Sequence, residues 1–306
     1  MSQQKLAAPP HPLWTPLSTF HPPGGNIIAV AFSAAGDIVA TAQDDGEVRL
    51  WSVASSEMLP VLKIKTDAKL CCVAFAARGV TLASGHEDGK VHLWNAAMGQ
   101  RVRTLNAHAG AINALTFSHD GALLASAGVD GTVVVWDVTS GKTRHSLNAH
   151  GGSIRAVAIA NDNQTLAAGS DAGVVSLWQL ASGDLISALT RHHLWVAALA
   201  FSPNGNALAS AGYDRTVRVW GTDADFLLHT LSGHQDAVTC VVFAPHNRLL
   251  ASAGSEGGVR LWDAWRGVLR QTLEEHGGPA QCIAFAPQGD VLAAGYRDAV
   301  CLWHVE

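Results

Sequence analysis

The most constraining feature of this 306-residue chain is a tryptophan that recurs at almost constant spacing. Successive intervals are 43, 42, 42, 42, 42 and 41 residues, between Trp51, Trp94, Trp136, Trp178, Trp220, Trp262 and Trp303. A similar sequence surrounds each one, as in residues 112–136, which read INALTFSHDGALLASAGVDGTVVVW. A fixed period of this length indicates one supersecondary unit used seven times.

The third repeat shows what the unit contains. The runs AINALTFS, LLASAG and TVVVWDV predict three strands, and RHSLNAH at residues 144–150 predicts a fourth. Turn residues separate these runs, at His119-Asp120-Gly121, Asp130-Gly131 and Ser140-Gly141-Lys142. The runs are nearly continuous in apolar residues, which indicates strands covered on both faces. Such four-stranded units are typical of propeller blades, so we predict an all-β, seven-bladed β-propeller.

The two ends of the chain predict how the ring closes. The last repeat stops at AVCLWHVE after its third strand, and LWTPLSTFH at residues 13–21 resembles a fourth strand without a blade of its own. Pairing the two removes an open sheet edge, so we predict that the N-terminal strand closes the last blade. A disordered leader is the alternative, favoured by Pro9, Pro10, Pro12, Pro16, Pro22 and Pro23. The predicted domains are a tail, 1–12, and one propeller, 13–306.

Composition fits one packed domain. Hydrophobic residues make up 48% of the chain and charged residues 15%, which suits a large core and excludes general disorder. The net charge is −5 without a Lys/Arg-rich run, which argues against nucleic acid as a partner. There is no signal-peptide pattern and no 18-residue apolar stretch, so we expect a monomeric, cytoplasmic propeller without membrane contact.

The cysteines and histidines predict neither disulfides nor a metal site. Of five cysteines, Cys72, Cys240 and Cys282 each stand three residues before the Phe of their own repeat. Equivalent positions in different blades lie too far apart for a disulfide, so we expect buried free thiols. No His/Cys cluster has ligand spacing, and nucleotide-binding and hydrolase motifs are missing. We expect no cofactor and no metal.

On these residues the chain resembles the WD-repeat β-propeller family over positions 13–306. The dipeptide that names the family occurs at Trp136-Asp137 and Trp262-Asp263. In the family a His, a Ser or Thr, an Asp and the Trp of a blade form a hydrogen-bonded tetrad. The resemblance implies two complete tetrads here, His108, Ser126, Asp130 and Trp136, and His192, Ser210, Asp214 and Trp220. A Ser, His and Asp set is also a candidate hydrolase triad, but one that recurs at a fixed period indicates a structural role.

The remaining blades keep the tetrad only in part. Blade six has Glu256 in place of the Asp, and blade two has Thr66 where the His is expected. Blade one keeps Thr41 and Asp45 with His21 displaced by two residues. Blades four and seven depart most, with Ala168, Ala172, Ala293 and Arg297 in place of Ser and Asp beside His150 and His276.

The resemblance also implies a binding surface on the rim around the central channel. Family members project three positions per blade onto it: the residue before the turn Asp, and those four and six residues before the first-strand Phe. The candidate partner-binding residues at these positions are Asp44, Lys69, Glu87, Arg155, Asp171, Trp195, Tyr213, Gln281 and Tyr296. Exposed Trp, Tyr and Arg dominate interface energies. Packing on neighbouring turns is the alternative for the aromatics, and solvated turn carboxylates for the acids.

These observations favour a non-enzymatic scaffold that binds a protein or peptide partner on the rim. A mixed aromatic and acidic surface would suit a peptide carrying Arg or Lys, through cation–π contacts and charge-assisted hydrogen bonds. One alternative is a hydrolase or lyase with its site at the channel mouth. Another is a fixed structural subunit of a larger complex.

Overall fold

The computed structural model describes residues 14–59, 68–77, 81–96, 98–106, 108–149, 151–222, 226–246, 248–273 and 278–305. Within these ranges the chain is all β, with 27 strands in seven antiparallel sheets. The predicted tail, residues 1–12, lies outside them. None of the described segments is a helix that could cross a membrane.

Each sheet is one blade, and its strands follow one another from the inside of the ring outwards. The first strand, β1 (Trp14–Phe20), precedes blade one. Blade one contains β2 (Ile27–Phe32), β3 (Ile38–Gln43) and β4 (Val48–Ser52). Blade two contains β5 (Leu70–Phe75), β6 (Thr81–His86), β7 (Lys90–Asn95) and β8 (Gln100–Asn106). Blade three contains β9 (Ile112–Phe117), β10 (Leu123–Gly128), β11 (Thr132–Asp137) and β12 (Thr143–Asn148). Blade four contains β13 (Ile154–Ile159), β14 (Thr165–Ser170), β15 (Val175–Gln179) and β16 (Leu185–Leu189), and blade five contains β17 (Val196–Phe201), β18 (Ala207–Gly212), β19 (Thr216–Gly221) and β20 (Leu227–Ser232). Blade six contains β21 (Val238–Phe243), β22 (Leu249–Gly254), β23 (Val259–Asp263) and β24 (Val268–Leu273). Blade seven contains β25 (Cys282–Phe285), β26 (Val291–Gly295) and β27 (Val300–Val305).

Ring closure occurs as the sequence predicts. β1 pairs antiparallel with β27, from Trp14 opposite Val305 to Phe20 opposite Val300, and becomes the outer strand of blade seven. Pro16 lies at a register shift in this pairing, which suits an edge strand that has one N–H fewer. Phe20 also stacks on Trp51 of blade one, with ring centroids 4.6 Å apart, so the closing strand joins the last blade to the first.

Blade one has three strands among the described residues. Its chain continues outwards through a single bridge between Met58 and Trp51 and a hydrogen bond from Leu59 N to Leu50 O. The rest of the fourth strand expected there would fall on residues 60–67, which lie outside the described part of the chain.

The core consists of layers between neighbouring blades. The second strands, such as β10 with its sequence LLASAG, are buried after their first residue, because each lies between its own sheet partners and the adjacent blades. Small residues are needed where blades meet closely: a side chain at Gly85 would lie 2.7 Å from Ile112 of the next blade. The five cysteines are free thiols; Cys282 and Cys301 are buried, and Cys71, Cys72 and Cys240 are half-buried. Burial of the sulfur raises the pKa of the Cys240 thiol to about 11.

Candidate partner-binding rim

Six blades share one backbone contact that defines the rim. In each, the N–H of the residue before the turn Asp donates to the carbonyl of the residue six before the first-strand Phe, at 2.8–3.0 Å. The pairs are Asp44–Asn26, Glu87–Lys69, Val129–Ala111, Asp171–Ser153, Tyr213–Trp195 and Ser255–Ala237. The predicted register is therefore correct in these blades, and the candidate residues they contribute lie at the same end of the propeller.

Blade seven is built differently. The inner strands of the other six blades shift register where they begin, whereas β25 has only four residues and no shift. Tyr296 N donates instead to Ala299 O, and the Tyr296 hydroxyl donates to Gly257 O of blade six at 3.2 Å. The side chain is 1% exposed. The prediction that Tyr296 is exposed on the rim is therefore wrong, and packing on a neighbouring turn is its actual role.

Blades four and five together form an aromatic patch on the rim, which we call the Arg155 patch: Arg155, Trp195 and Tyr213. The guanidinium carbon of Arg155 lies 4.4 Å from the centre of the Trp195 ring, in cation–π geometry. Tyr213 stacks on the same indole at 5.1 Å between centroids. Trp195 and Tyr213 remain 39% and 38% exposed. Large aromatic area is thus fixed in place yet accessible to a partner.

Within the described residues, no side-chain hydrogen bond, ion pair or ring contact joins the other predicted rim residues to this patch. Asn26 donates to both carboxylate oxygens of Asp44, at 2.7 and 2.6 Å, and itself accepts from Arg297 Nε. Asp44 is therefore held by its own blade. Lys69, Glu87 and Gln281 are exposed, and Asp171 is half-buried.

Both complete tetrads are present. In blade five, Trp220 Nε1 donates to Ser210 Oγ (2.9 Å), which lies 2.7 Å from His192 Nε2, and His192 Nδ1 lies 3.0 Å from Asp214. Blade three repeats this arrangement with distances of 3.1, 2.9 and 3.0 Å. Since a carboxylate only accepts, His Nδ1 carries the proton and Nε2 accepts from the serine.

This arrangement resembles a hydrolase triad but cannot act as one. Ser126 and Ser210 are fully buried, and each Oγ already accepts a hydrogen bond from an indole. A nucleophile must reach a substrate carbonyl, and these hydroxyls meet only protein. Burial alone would raise the pKa of Asp214, but hydrogen bonds from His192 and Thr216 outweigh it and hold that pKa well below its usual range.

The incomplete blades replace missing members in different ways. In blade six, Glu256 accepts from His234 Nδ1 at 2.6 Å and also pairs with Arg260. In blade two, His86 lies on β6 itself, 2.8 Å from Ser84 Oγ, and occupies the place of the missing histidine. Asp88 pairs with Lys90 instead, at 2.6 Å. Thr66, His150 and His276 lie outside the described residues.

Sequence reasoning missed His86 and the residues that support the turns. In blade one Arg49 pairs with Asp45 and Glu47 and donates to Gln43. These contacts occupy the region in which the complete tetrads have their histidine. Arg260 and Arg218 occupy the same strand position in blades six and five. An arginine two residues before the repeat Trp is the sequence feature that could have indicated this support of the turn.

The described residues contain no group of three or more His, Cys, Asp and Glu side chains that could hold a metal ion. One cavity, of about 240 Å³, lies between blades two and three beside Trp94, Val102 and Arg103. It is smaller than the roughly 300–1,000 Å³ of ligand sites. Arg103 donates to the carbonyls of Thr139 and Ser140 next to it.

Comparison with protein families agrees with this geometry. Residues 26–186 match the model described as the fourth β-propeller of WDR90. Residues 183–221, 226–263 and 267–304 match the model of the WD domain, G-beta repeat. The chain belongs to the WD-repeat β-propeller family. Propellers of this family generally serve as protein-interaction scaffolds and are typically not enzymes. A comparison with curated proteins gives no match.

Proposed function

We propose that this WD-repeat propeller is a protein-interaction scaffold whose partner binds on the rim, centred on the Arg155 patch. The observation that carries the proposal is the exposed Trp195–Tyr213 stack with Arg155 packed on the indole. Ordered aromatic side chains have little rotamer entropy to lose on binding, which is why they serve as anchors. We place the scaffold in the cytoplasm, as the sequence predicts.

The surroundings of the patch support this role. Leu194 is 52% exposed beside Trp195, and Val129 of blade three is 44% exposed at the rim position equivalent to Tyr213. Leu194, Trp195 and Tyr213 thus expose apolar area together on blade five, and Val129 exposes more on the rim of blade three. Contiguous exposed apolar surface on a folded protein commonly marks an interaction site.

The experiment is affinity capture of partners from the native cell with quantitative mass spectrometry, followed by calorimetry on the purified partner. We expect Trp195→Ala and Tyr213→Ala each to weaken binding by about 2 kcal/mol, roughly thirtyfold, as for other aromatic anchors. Melting temperatures check that both variants fold.

The matched control is Phe226→Ala, because Phe226 is also in blade five and 48% exposed but stands at its outer edge. Partners that are captured equally by Trp195→Ala and wild type, and lost with Phe226→Ala, would place the interface on the outer edge of the propeller and reject the proposal.

A further inference from the structure

We infer that the Arg155 patch binds an acidic peptide segment of its partner, with a carboxylate of that segment on the Arg155 guanidinium. The inference rests on the proposed function, because it specifies the chemistry of the partner at the same patch. It replaces the basic peptide that the sequence favours.

The Trp195 ring of the patch is already in contact with two other side chains of the protein. Trp195 contacts Arg155 at 4.4 Å and Tyr213 at 5.1 Å within the protein itself. A partner's Arg or Lys approaching the indole would therefore meet a fixed positive charge of the same sign. Cation–π recognition of a basic peptide at Trp195 is unfavourable for this reason.

Among the described residues, Arg155 has no hydrogen-bond acceptor. Its Nε is buried without a hydrogen-bond partner, and no ion pair formed within the described chain includes Arg155. A buried, charged donor without an acceptor is unfavourable and calls for an explanation.

Equivalent residues in other blades differ on this point. Asn113, at the same position of β9, donates to Ser153 Oγ and Ile154 O of the next blade, at 3.1 and 2.7 Å. Thr239, at the same position of β21, donates to Ala280 O at 2.7 Å. Both side chains donate hydrogen bonds across the blade boundary, whereas the contact that the described residues show between Arg155 and the next blade is with the Trp195 ring.

The loops around the patch contain more basic than acidic side chains. The two loops that carry Trp195 and Tyr213 also carry Arg191, His193 and Arg215, all exposed. The carboxylate in these loops, Asp214, is engaged by His192 and Thr216 and lies 3.6 Å from Arg218. Within these two loops the charge left without a partner is therefore positive, and a carboxylate complements it; the half-buried Asp171 of blade four belongs to neither loop.

Stacking prepares Arg155 for such a ligand. An arginine held flat on an aromatic ring presents its planar fork in a fixed direction, and this fork matches a carboxylate through two parallel N–H···O bonds. Leu194 and Tyr213 offer apolar area next to it. The partner segment thus has Asp or Glu beside a large apolar residue.

The test uses the full chain and a phage library of random twelve-residue peptides, selected on wild type and then titrated as synthetic peptides. We expect an Asp or Glu consensus with an adjacent apolar residue. Arg155→Gln should weaken these peptides about tenfold to a hundredfold, the range for hydrogen bonds to charged groups. Arg155→Lys should recover only part of the loss, since it restores charge but not the fork.

The control is Arg144→Gln on the outer strand of blade three, which removes the same charge from an exposed arginine. Peptides that depend on Trp195 and Tyr213 but tolerate Arg155→Gln, or that carry Arg or Lys, would overturn this inference and leave the proposed function standing. If no selected peptide depends on the patch at all, both fail. A lower melting temperature of Arg155→Gln with unchanged peptide affinity would assign Arg155 a purely structural role.

Discussion

At the scale of single residues, the tetrads show how a buried hydroxyl is made compatible with an apolar core. Ser210 is fully buried between two β-strands, yet it accepts from Trp220 and donates to His192. The histidine in turn donates a hydrogen bond to Asp214, whose side chain is 8% exposed. Each polar group is satisfied by the next, so the cost of burying any one of them depends on the whole chain of four.

Removing the carboxylate at the end of this chain should destabilise the fold. We expect Asp214→Ala to lower the free energy of unfolding by about 1–3 kcal/mol, because His192 Nδ1–H and the His193 amide lose their acceptor. Asp130→Ala should cost less, since Asp130 is 18% exposed and water can replace part of its bonding. Urea denaturation of the variants measures both.

Asp171→Ala is the comparison, because its carboxylate accepts no hydrogen bond that the structure shows within the described residues. We expect the smallest loss of the three. A larger loss for Asp171→Ala than for Asp214→Ala would contradict the tetrad assignment.

At the scale of an element, the sheet of blade two contains two adjacent imidazoles. His86 on β6 and His92 on β7 lie 4.7 Å apart between ring centres, and His92 Nδ1 lies 3.0 Å from Thr104 Oγ1. Burial lowers the pKa of His86. Burial and the neighbouring His86 lower the pKa of His92 from 6.5 to about 4.

This pair makes stability depend on pH in mildly acidic solution. Both groups bind protons more weakly in the native state, so their contribution is fully present above pH 6.5 and is lost as the pH falls from 6.5 towards about 4. We expect His92→Gln to reduce the drop in melting temperature between pH 7.5 and pH 5. The remaining slope comes from His86 and from His234, whose pKa burial also lowers.

His119→Gln is the matched control, since His119 is exposed on a turn of blade three. Its pH profile should follow that of the wild type. Equal slopes in His92→Gln and wild type would show that the blade-two pair remains unprotonated or contributes nothing over this range.

The elements differ in how far they could be predicted. Strands and turns repeat in every blade, so the spacing of Trp and turn Gly predicts them, and the two complete tetrads follow the same register. His86 could not be found this way, because it replaces a missing residue from a position that is Gly in blades three, five and six. Tyr296 was misplaced because the turn between β26 and β27 is one residue shorter than that between β10 and β11, so that Tyr296 stands at the position of Gly128 and Arg297 at the rim position. The contact of Arg155 with Trp195 joins residues of different blades, which no repeat pattern specifies.

At the scale of the whole molecule, one non-covalent strand pair, β1 with β27, closes the ring together with the packing of blade seven on blade one. β1 contributes Trp14 to the core of blade seven, where it contacts Phe285 edge to face at 5.6 Å, and Phe20 to the contact with blade one. Gln271 of blade six donates to Trp14 O, so three blades contact this single strand.

Deleting residues 1–20 should therefore lower the melting temperature by several degrees, because each kcal/mol shifts the midpoint by about 2–4 °C in a domain of this size. A chain that begins at Trp14 is the control, since it retains all of β1. Differential scanning calorimetry of the two chains isolates the contribution of the strand. Equal midpoints would mean that closure does not stabilise the ring.

The same strand pair has a consequence for synthesis. β1 leaves the ribosome about 280 residues before its partner β27, because Phe20 pairs with Val300. At a synthesis rate of about 5–20 residues per second, some 15–60 s pass between the synthesis of β1 and that of β27. During that time its two aromatic side chains and both of its edges lack their native partners, while complete blades can already fold behind it. The nascent chain is therefore most open to strand exchange with a neighbouring copy, and to chaperones, until the seventh repeat emerges.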